Sequence, residues 1–556
     1  MKSRTSFFNP HVLNKDITRF APVWGLYLFG GLLVGLITLS HGNFACVGFG
    51  HGAEALASSI GPMTVVNFLY AIVTAQMLFG DLFSSRLSNA IHAFPLRRES
   101  WFVTHTAAGL LFSFLPNLIM SVCFLPLMGQ MWYISFIWLL AMTLEYLFFF
   151  GLAVFSAMST GNRFAMASIY ALINSLPLLL YWFADTFYEP LLYGITIHES
   201  NFTRFSPTVW LYERTGFVEF SRKYAQGRCN AYPHALQYFY EGLSGDWLYF
   251  AIIAVAGVVL LGVGLLMYRR RKLESAGDFM VFRWVKPIFS VMFTLGVGAL
   301  FEMFGTAILN REYVFLGIGI AVGYFVGQMM LQRKVWVFRI RSFAACGAIG
   351  GLLALSIFLT DMDPLDIDRR APYPDIVTEV TFRDGWFTRD AKLRTITNPE
   401  VIKELVAIHQ QILYEGEVET RPSSGNYVEI DYTVSGGWRD QRSYYYASDE
   451  VYEMVAEFCR NPEIVFDVKD WDKLVEGEKT VKLNGEVLSD ADAKALLLAV
   501  EKDCMAGTMM RNLYGDSSSA TLDKIWVQTE DYYFDIDLSG NSDSTLEWIS
   551  KYKDAA

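Results

Sequence analysis

Two carboxylates stand inside stretches that are otherwise apolar, Glu145 in MTLEYLFFF and Glu302 in GALFEMFG. An ionised carboxylate is expensive in lipid, so within a membrane helix it faces a bundle interior or a water-filled path. Glu145, near mid-helix, is the candidate for an intramembrane substrate pathway or for an interhelical hydrogen bond, whereas Glu302 is placed to reach the outer interface. The motifs of phosphate and acyl chemistry are missing. Gly-Lys never occurs, so there is no G-x-x-x-x-G-K-[ST] loop, and neither H-E-x-x-H nor G-x-S-x-G is present. The six cysteines form no C-x-x-C pair and share no metal-ligand spacing with the eight histidines, so no metal or other cofactor is expected in this chain. For Cys459 and Cys504 a disulfide and two separate buried thiols are both open, the former requiring a compartment outside the cytoplasm.

Those residues sit in a chain of two physical halves. Residues 361–556 hold 40 acidic against 21 basic residues, net −19, while residues 1–360 hold 16 against 24, net +8. The first half contains nine apolar segments of the roughly 20 residues that span a bilayer core, at about 21–40, 61–80, 102–127, 131–156, 164–184, 247–268, 284–305, 313–331 and 343–360. The first segment lacks a clear small-residue cleavage site and reads as a retained signal anchor. With the amino terminus inside, the cytoplasmic segments hold 18 Lys and Arg and the outer loops 6, which places the acidic region 361–556 outside. The expected architecture is therefore a mainly α membrane protein of about nine transmembrane helices followed by an extracellular α/β domain. Nothing in the pattern points to nucleic acid.

That outer domain starts after DMDPLDIDRRAPYPD and reads as strand (IVTEVTF), helix capped by Asn398 with Pro399 in its first turn, and a hairpin turning at Gly436-Gly437. A similar order recurs in KTVKLNG, SDADAKALLLAVEKDC and LDKIWVQTEDYYFDIDL, so two related subdomains are one reading. Ser448 caps a helix whose core face is Val451, Met454, Val455 and Phe458. The aromatic loop 187–246 resembles a segment at the headgroup level, and Asn201-Phe-Thr203 fits a glycosylation sequon. Glycines at four-residue spacing, Gly31 with Gly35 and Gly319, Gly323 and Gly327, favour close helix packing.

Three segments on the basic side could meet a partner. In residues 1–20, Asn9 and Pro10 open an amphipathic helix with Leu13, Ile17 and Phe20 on one face and Lys15, Asp16 and Arg19 opposite. In LFSSRLSNAIHAFPLRRESWF, 82–102, Leu87, Ala90, Ile91 and Phe94 form a stripe with Arg86, Asn89 and His92 around it, and Pro95 stops the helix before Arg97 and Arg98. His105, just beyond, reads as a loop contact. The third is YRRRKLESAGDFMVFRWVK. The two arginines after the proline either dock a partner or hold the loop inside through anionic lipid, each cation being worth about 1 kcal/mol near a membrane surface. The apolar stripe favours docking.

This arrangement resembles the transmembrane subunits of ABC transporters of the type-2 exporter class, with AFPLRRESW similar to the Leu-Pro-x-x-Arg-like sequence many of them carry, and the RRRKLESAGDFMVFRWVKP segment resembling permeases of Gram-positive bacteria. The likeness covers about residues 1–287. It implies a six-helix permease core at 21–268, with a coupling helix at 83–98 and an outer loop capping the exit. Residues 269–360 add a basic segment and three more helices. It further implies a bacterial cell membrane, a second permease chain and a separate cytoplasmic ATPase that binds ATP and Mg. The ATPase-docking residues would be Arg86, Leu87, Ile91, His92, Phe94, Pro95, Arg97 and Arg98. The expected cargo is an amphipathic or peptide-like compound such as an antimicrobial peptide. The alternative is a membrane-bound sensor or antibiotic-detection protein whose outer domain binds a ligand.

Overall fold

The computed structural model describes residues 7–41, 51–94, 96–127, 132–213, 232–309, 312–384, 394–416, 427–466, 468, 471–508, 523–529, 533–538 and 542–555. Contacts divide the chain into one unit of residues 1–182 and 202–353 and a second of residues 183–201 and 354–556.

The first unit is helical. Helix α1 (Pro10–Arg19) starts as expected: the Asn9 side chain accepts from the backbone N–H groups of His11 at 3.0 Å and Val12 at 3.3 Å, and Pro10 needs no donor at the first position. Leu13, Ile17 and Phe20 pack against the bundle core. Asp16 departs from the sequence reading. It is buried, not on the polar face, because it meets His105.

Then follow α2 (Ala21–His41), α3 (His51–Leu78), α4 (Ser85–His92), α5 (Arg98–Phe124), α6 (Tyr133–Ser159), α7 (Arg163–Phe183), the short α8 (Ser200–Thr203) and α9 (Pro207–Glu213), α10 (Tyr232–Arg270), α11 (Val285–Leu309), α12 (Glu312–Gln332) and α13 (Ile340–Asp361). Among the described residues nine helices are long and apolar enough to cross a membrane: α2, α3, α5, α6, α7, α10, α11, α12 and α13, at the nine places read from the sequence. Their outward side chains are large and apolar, as at Leu26, Phe29, Phe164, Leu248 and Leu352, all more than 60 % exposed, the pattern of a surface that meets hydrocarbon. No residue of α13 is buried.

Small residues set the closest approaches. A methyl group on Gly319 would stand 2.6 Å from Phe301 Cβ and one on Gly323 2.8 Å from Val297 Cβ, so the stripe lets α12 lie on α11. Gly151 and Gly257 do the same for α6 and α10, where an added Cβ on Gly151 would meet the Gly257 carbonyl oxygen at 2.6 Å. Sequence spacing marks only the first pair of helices. Glu302 is buried.

The second unit contains two antiparallel sheets. Strands β2 (Val377–Asp384) and β3 (Arg394–Ile396) precede helix α14 (Pro399–Glu415), then β4 (Tyr427–Val434), β5 (Trp438–Tyr445) and α15 (Asp449–Phe458). After α16 (Pro462–Phe466) and α17 (Trp471–Glu476), the sequence β6 (Thr480–Leu483), β7 (Glu486–Val487), α18 (Asp490–Met505), β8 (Asp523–Gln528), β9 (Tyr533–Leu538) and α19 (Asp543–Ala555) repeats the order. Strand neighbours run β5-β4-β2-β3 in the first sheet and β7-β6-β8-β9 in the second, the same hairpin–helix–hairpin topology twice.

The first sheet gains a further edge strand, β1 (Ile195–Thr196), paired with β5. The opening of the 187–246 loop is thus part of this unit. Asn201 is occupied there: its Nδ2 donates to the Arg439 carbonyl at 2.6 Å and its Oδ1 accepts from the Arg439 N–H at 2.8 Å. Cys459 and Cys504 lie in separate cores and no disulfide joins them.

Candidate functional site

Helix α4 follows a 310 turn at Gly80–Phe83 and ends at His92, with the Ala93 N–H closing on the Asn89 carbonyl at 3.1 Å. Its burial is the reverse of a core helix. Ser88 is buried, while Arg86, Asn89 and Ala90 are exposed and Leu87 and Phe94 are 49 % and 58 % exposed. Ile91 alone of the stripe turns back, lining a cavity of about 20 Å³ with Phe79, Asp81, Trp101, His105 and Tyr268. That volume is of the order that holds one water. Pro95 and the His92 side chain lie outside the described residues.

The arginines diverge. Arg97 is exposed and its guanidinium lies 5.3 Å from the Phe7 ring centroid. Arg98 is half-buried, 5.8 Å from the Tyr268 ring, with Nη2 donating to the Arg271 carbonyl at 3.5 Å. Of the three cations read as docking groups, Arg86 and Arg97 face outward and Arg98 serves the fold.

The residue that ties α4 to the bundle is one the sequence hid. Arg271 is buried, and its Nη1 donates to the carbonyls of Ala157, Met158 and Thr160 at 2.9, 3.2 and 2.7 Å while Nη2 donates to the Leu82 carbonyl at 2.9 Å. The last carbonyls of a helix lack intrahelical donors and form the negative end of its dipole, so the end of α6 is a natural seat for a guanidinium. Burial lowers the Arg271 pKa to about 10, which leaves it charged at neutral pH. Gly161 completes the clasp: its N–H donates to the Asp278 carbonyl at 2.8 Å, and a Cβ there would collide with the Ser275 carbonyl oxygen. In a run of four cations no local signal separates Arg271 from its neighbours.

A second tie holds α1. His105 Nδ1 lies 2.7 Å from Asp16 Oδ2, and the Asn9 N–H donates to Thr104 Oγ1 at 3.1 Å. His105 is therefore no loop contact but the partner of a buried carboxylate. Burial pushes the nearby Asp81 carboxyl up, opposed by His105.

Deeper in the same unit lies a polar seam. The Tyr27 hydroxyl is 2.6 Å from Asn67 Oδ1 and 3.0 Å from Asn117 Oδ1, and Asn117 Nδ2 donates to Ser113 Oγ at 3.0 Å. Glu145, 0 % exposed, faces Thr64 and Asn67, but neither of its oxygens has a hydrogen-bond partner. The readable signal for this seam was polar spacing on apolar helices: Thr64 and Asn67 on α3, and Ser113, Asn117 and Ser121 at i, i+4 and i+8 on α5.

Comparison with family models, with curated proteins and with solved structures gives no match.

Proposed function

We propose that this chain is the transmembrane subunit of an ATP-driven exporter of the ABC type-2 class, working in a bacterial cell membrane with a second permease chain and a separate cytoplasmic ATPase. The observation that carries the reading is α4: a short, otherwise polar helix that turns Leu87 outward, with Phe94 exposed just past its end, while Arg271 fastens its preceding turn to the end of α6. A force on that surface passes through Leu82 and Arg271 into α6 and α10. In this reading ATP and Mg belong to the ATPase, the amino terminus is cytoplasmic, the second unit is extracellular, and the cargo is amphipathic or peptide-like. The incorporation of residues 195–196 into the sheet of the second unit favours an additional detecting role, because that unit is then continuous with both α7 and α13.

Extraction in mild detergent tests the proposal. An ATP-binding protein should accompany the chain, and Leu87→Glu with Phe94→Glu should lower its recovery about tenfold or more while membrane insertion persists. If no such protein accompanies the wild type, the permease role is wrong. If the double variant retains it fully, α4 is not the docking surface.

A further inference from the structure

We infer that Glu145 and the tyrosines beside it form a recognition site for an organic cation, the protonated amine or guanidinium of an amphipathic cargo. The inference deepens the exporter reading and rests on it for the word cargo.

Three observations lead there. First, the carboxyl group lacks what a structural carboxylate needs. Both oxygens are buried without a hydrogen-bond partner; of the two nearest donors, Asn67 Nδ2 contacts the Met142 sulfur at 3.7 Å and Thr64 directs its hydroxyl to the Ile60 carbonyl at 3.0 Å. A buried polar group left unsatisfied is costly to the fold, and more so if charged. Second, among the described residues the helices around it hold no cation for it. Helices α2, α3 and α6 contain no lysine or arginine, and α5 has only Arg98 at its first residue. His105 is taken by Asp16.

Third, the surroundings are those that bind positive charge. Tyr27 and Tyr70 stack at 4.2 Å, Tyr70 and Tyr146 lie 5.7 Å apart, and Tyr146 stacks on Phe150 at 5.6 Å, a continuous aromatic column through α2, α3 and α6. The Tyr146 hydroxyl and Thr74 Oγ1 also lack partners. Aromatic faces attract cations through their quadrupole, most strongly when water is excluded. A carboxyl group with open acceptors beside such a column matches an ammonium, which offers donors and no acceptor. An anionic headgroup would be repelled, and a neutral one would supply at most a hydrogen bond without the charge.

The test uses the full-length chain in nanodiscs of zwitterionic lipid, without any ATPase. It is titrated with a fluorescent dodecyl primary amine and with its N-acetylated neutral twin, empty nanodiscs correcting for partition. The amine should bind about tenfold or more tightly than the twin, a gap that one charge-assisted contact supplies. Glu145→Gln should erase the preference and Glu145→Asp keep part of it. Equal affinity of the two probes for the wild type would overturn the site, as would a preference that survives Glu145→Gln. Loss of the ATPase partner with the amine preference intact would sink the exporter reading alone, and the converse would sink the site alone.

Discussion

His409 in the second unit and Glu145 in the helical bundle are equally hidden, each 0 % exposed. Only the histidine is satisfied. Its Nδ1 lies 3.0 Å from the Tyr432 hydroxyl and its Nε2 2.9 Å from the Tyr444 hydroxyl, so α14 is keyed to the neighbouring strands β4 and β5 of its sheet. Arg271 belongs with His409, because its guanidinium meets four carbonyls. A buried polar group whose atoms are all matched works for the fold, and its removal strands its partners. One left unmatched must do something else to be worth its desolvation.

Arg271 should show the largest effect. Arg271→Met keeps the stem and deletes every donor, leaving four buried carbonyls and an uncapped α6. Hydrogen bonds to a charged group are worth about 1.5–3 kcal/mol each, so losing this set should cost more than about 3 kcal/mol. Thermal unfolding in detergent should show that loss, together with protease access near Gly161. A change below about 1 kcal/mol would show that the clasp is replaceable by water, and would weaken the mechanical link drawn from α4 to α6.

His409→Ala should cost about 2–4 kcal/mol in the second unit, since it strands two tyrosine hydroxyls and opens a cavity. The same histidine sets an acid limit. Burial first, and Arg442 second, lower its pKa from 6.5 to about 3. The folded imidazole refuses a proton that the unfolded chain accepts, so its contribution is whole above about pH 6.5 and drains away as the pH falls towards 3. Each unit of pH across that window removes about 1.4 kcal/mol. Unfolding followed by a tyrosine signal at pH 7, 5 and 4 checks this, and a flat profile would mean the imidazole is already charged in the fold.

Local features of the fold are legible in the sequence. Nine apolar runs, the Asn9, Asn398 and Ser448 caps and the Gly436-Gly437 turn follow local rules of period and capping, and the structure has them at those positions. The α4 stripe was legible as a stripe, but its outward aim depends on Ser88 facing the bundle. The buried pairs were not legible. Asp16 with His105, His409 with two tyrosines and Arg271 with four carbonyls join residues 23 to 189 positions apart, and a sequence displays no periodicity for such meetings. Glu145 was visible because an acid among apolar residues is conspicuous. That it lacks a partner was not.

Glu145→Gln should therefore be the mildest change of the set. The amide keeps the shape of the carboxyl and brings a donor that can turn to Thr64 or Asn67, where Glu145 now has none. Thermal unfolding of the full chain should move by no more than about 1 kcal/mol in either direction. A loss approaching that of His409→Ala would show that the carboxyl is held after all and would remove the contrast between the two regions. A neutral or stabilising result would mean the acid is kept at a cost to the fold, which is the behaviour of a group retained to meet something the chain does not itself contain.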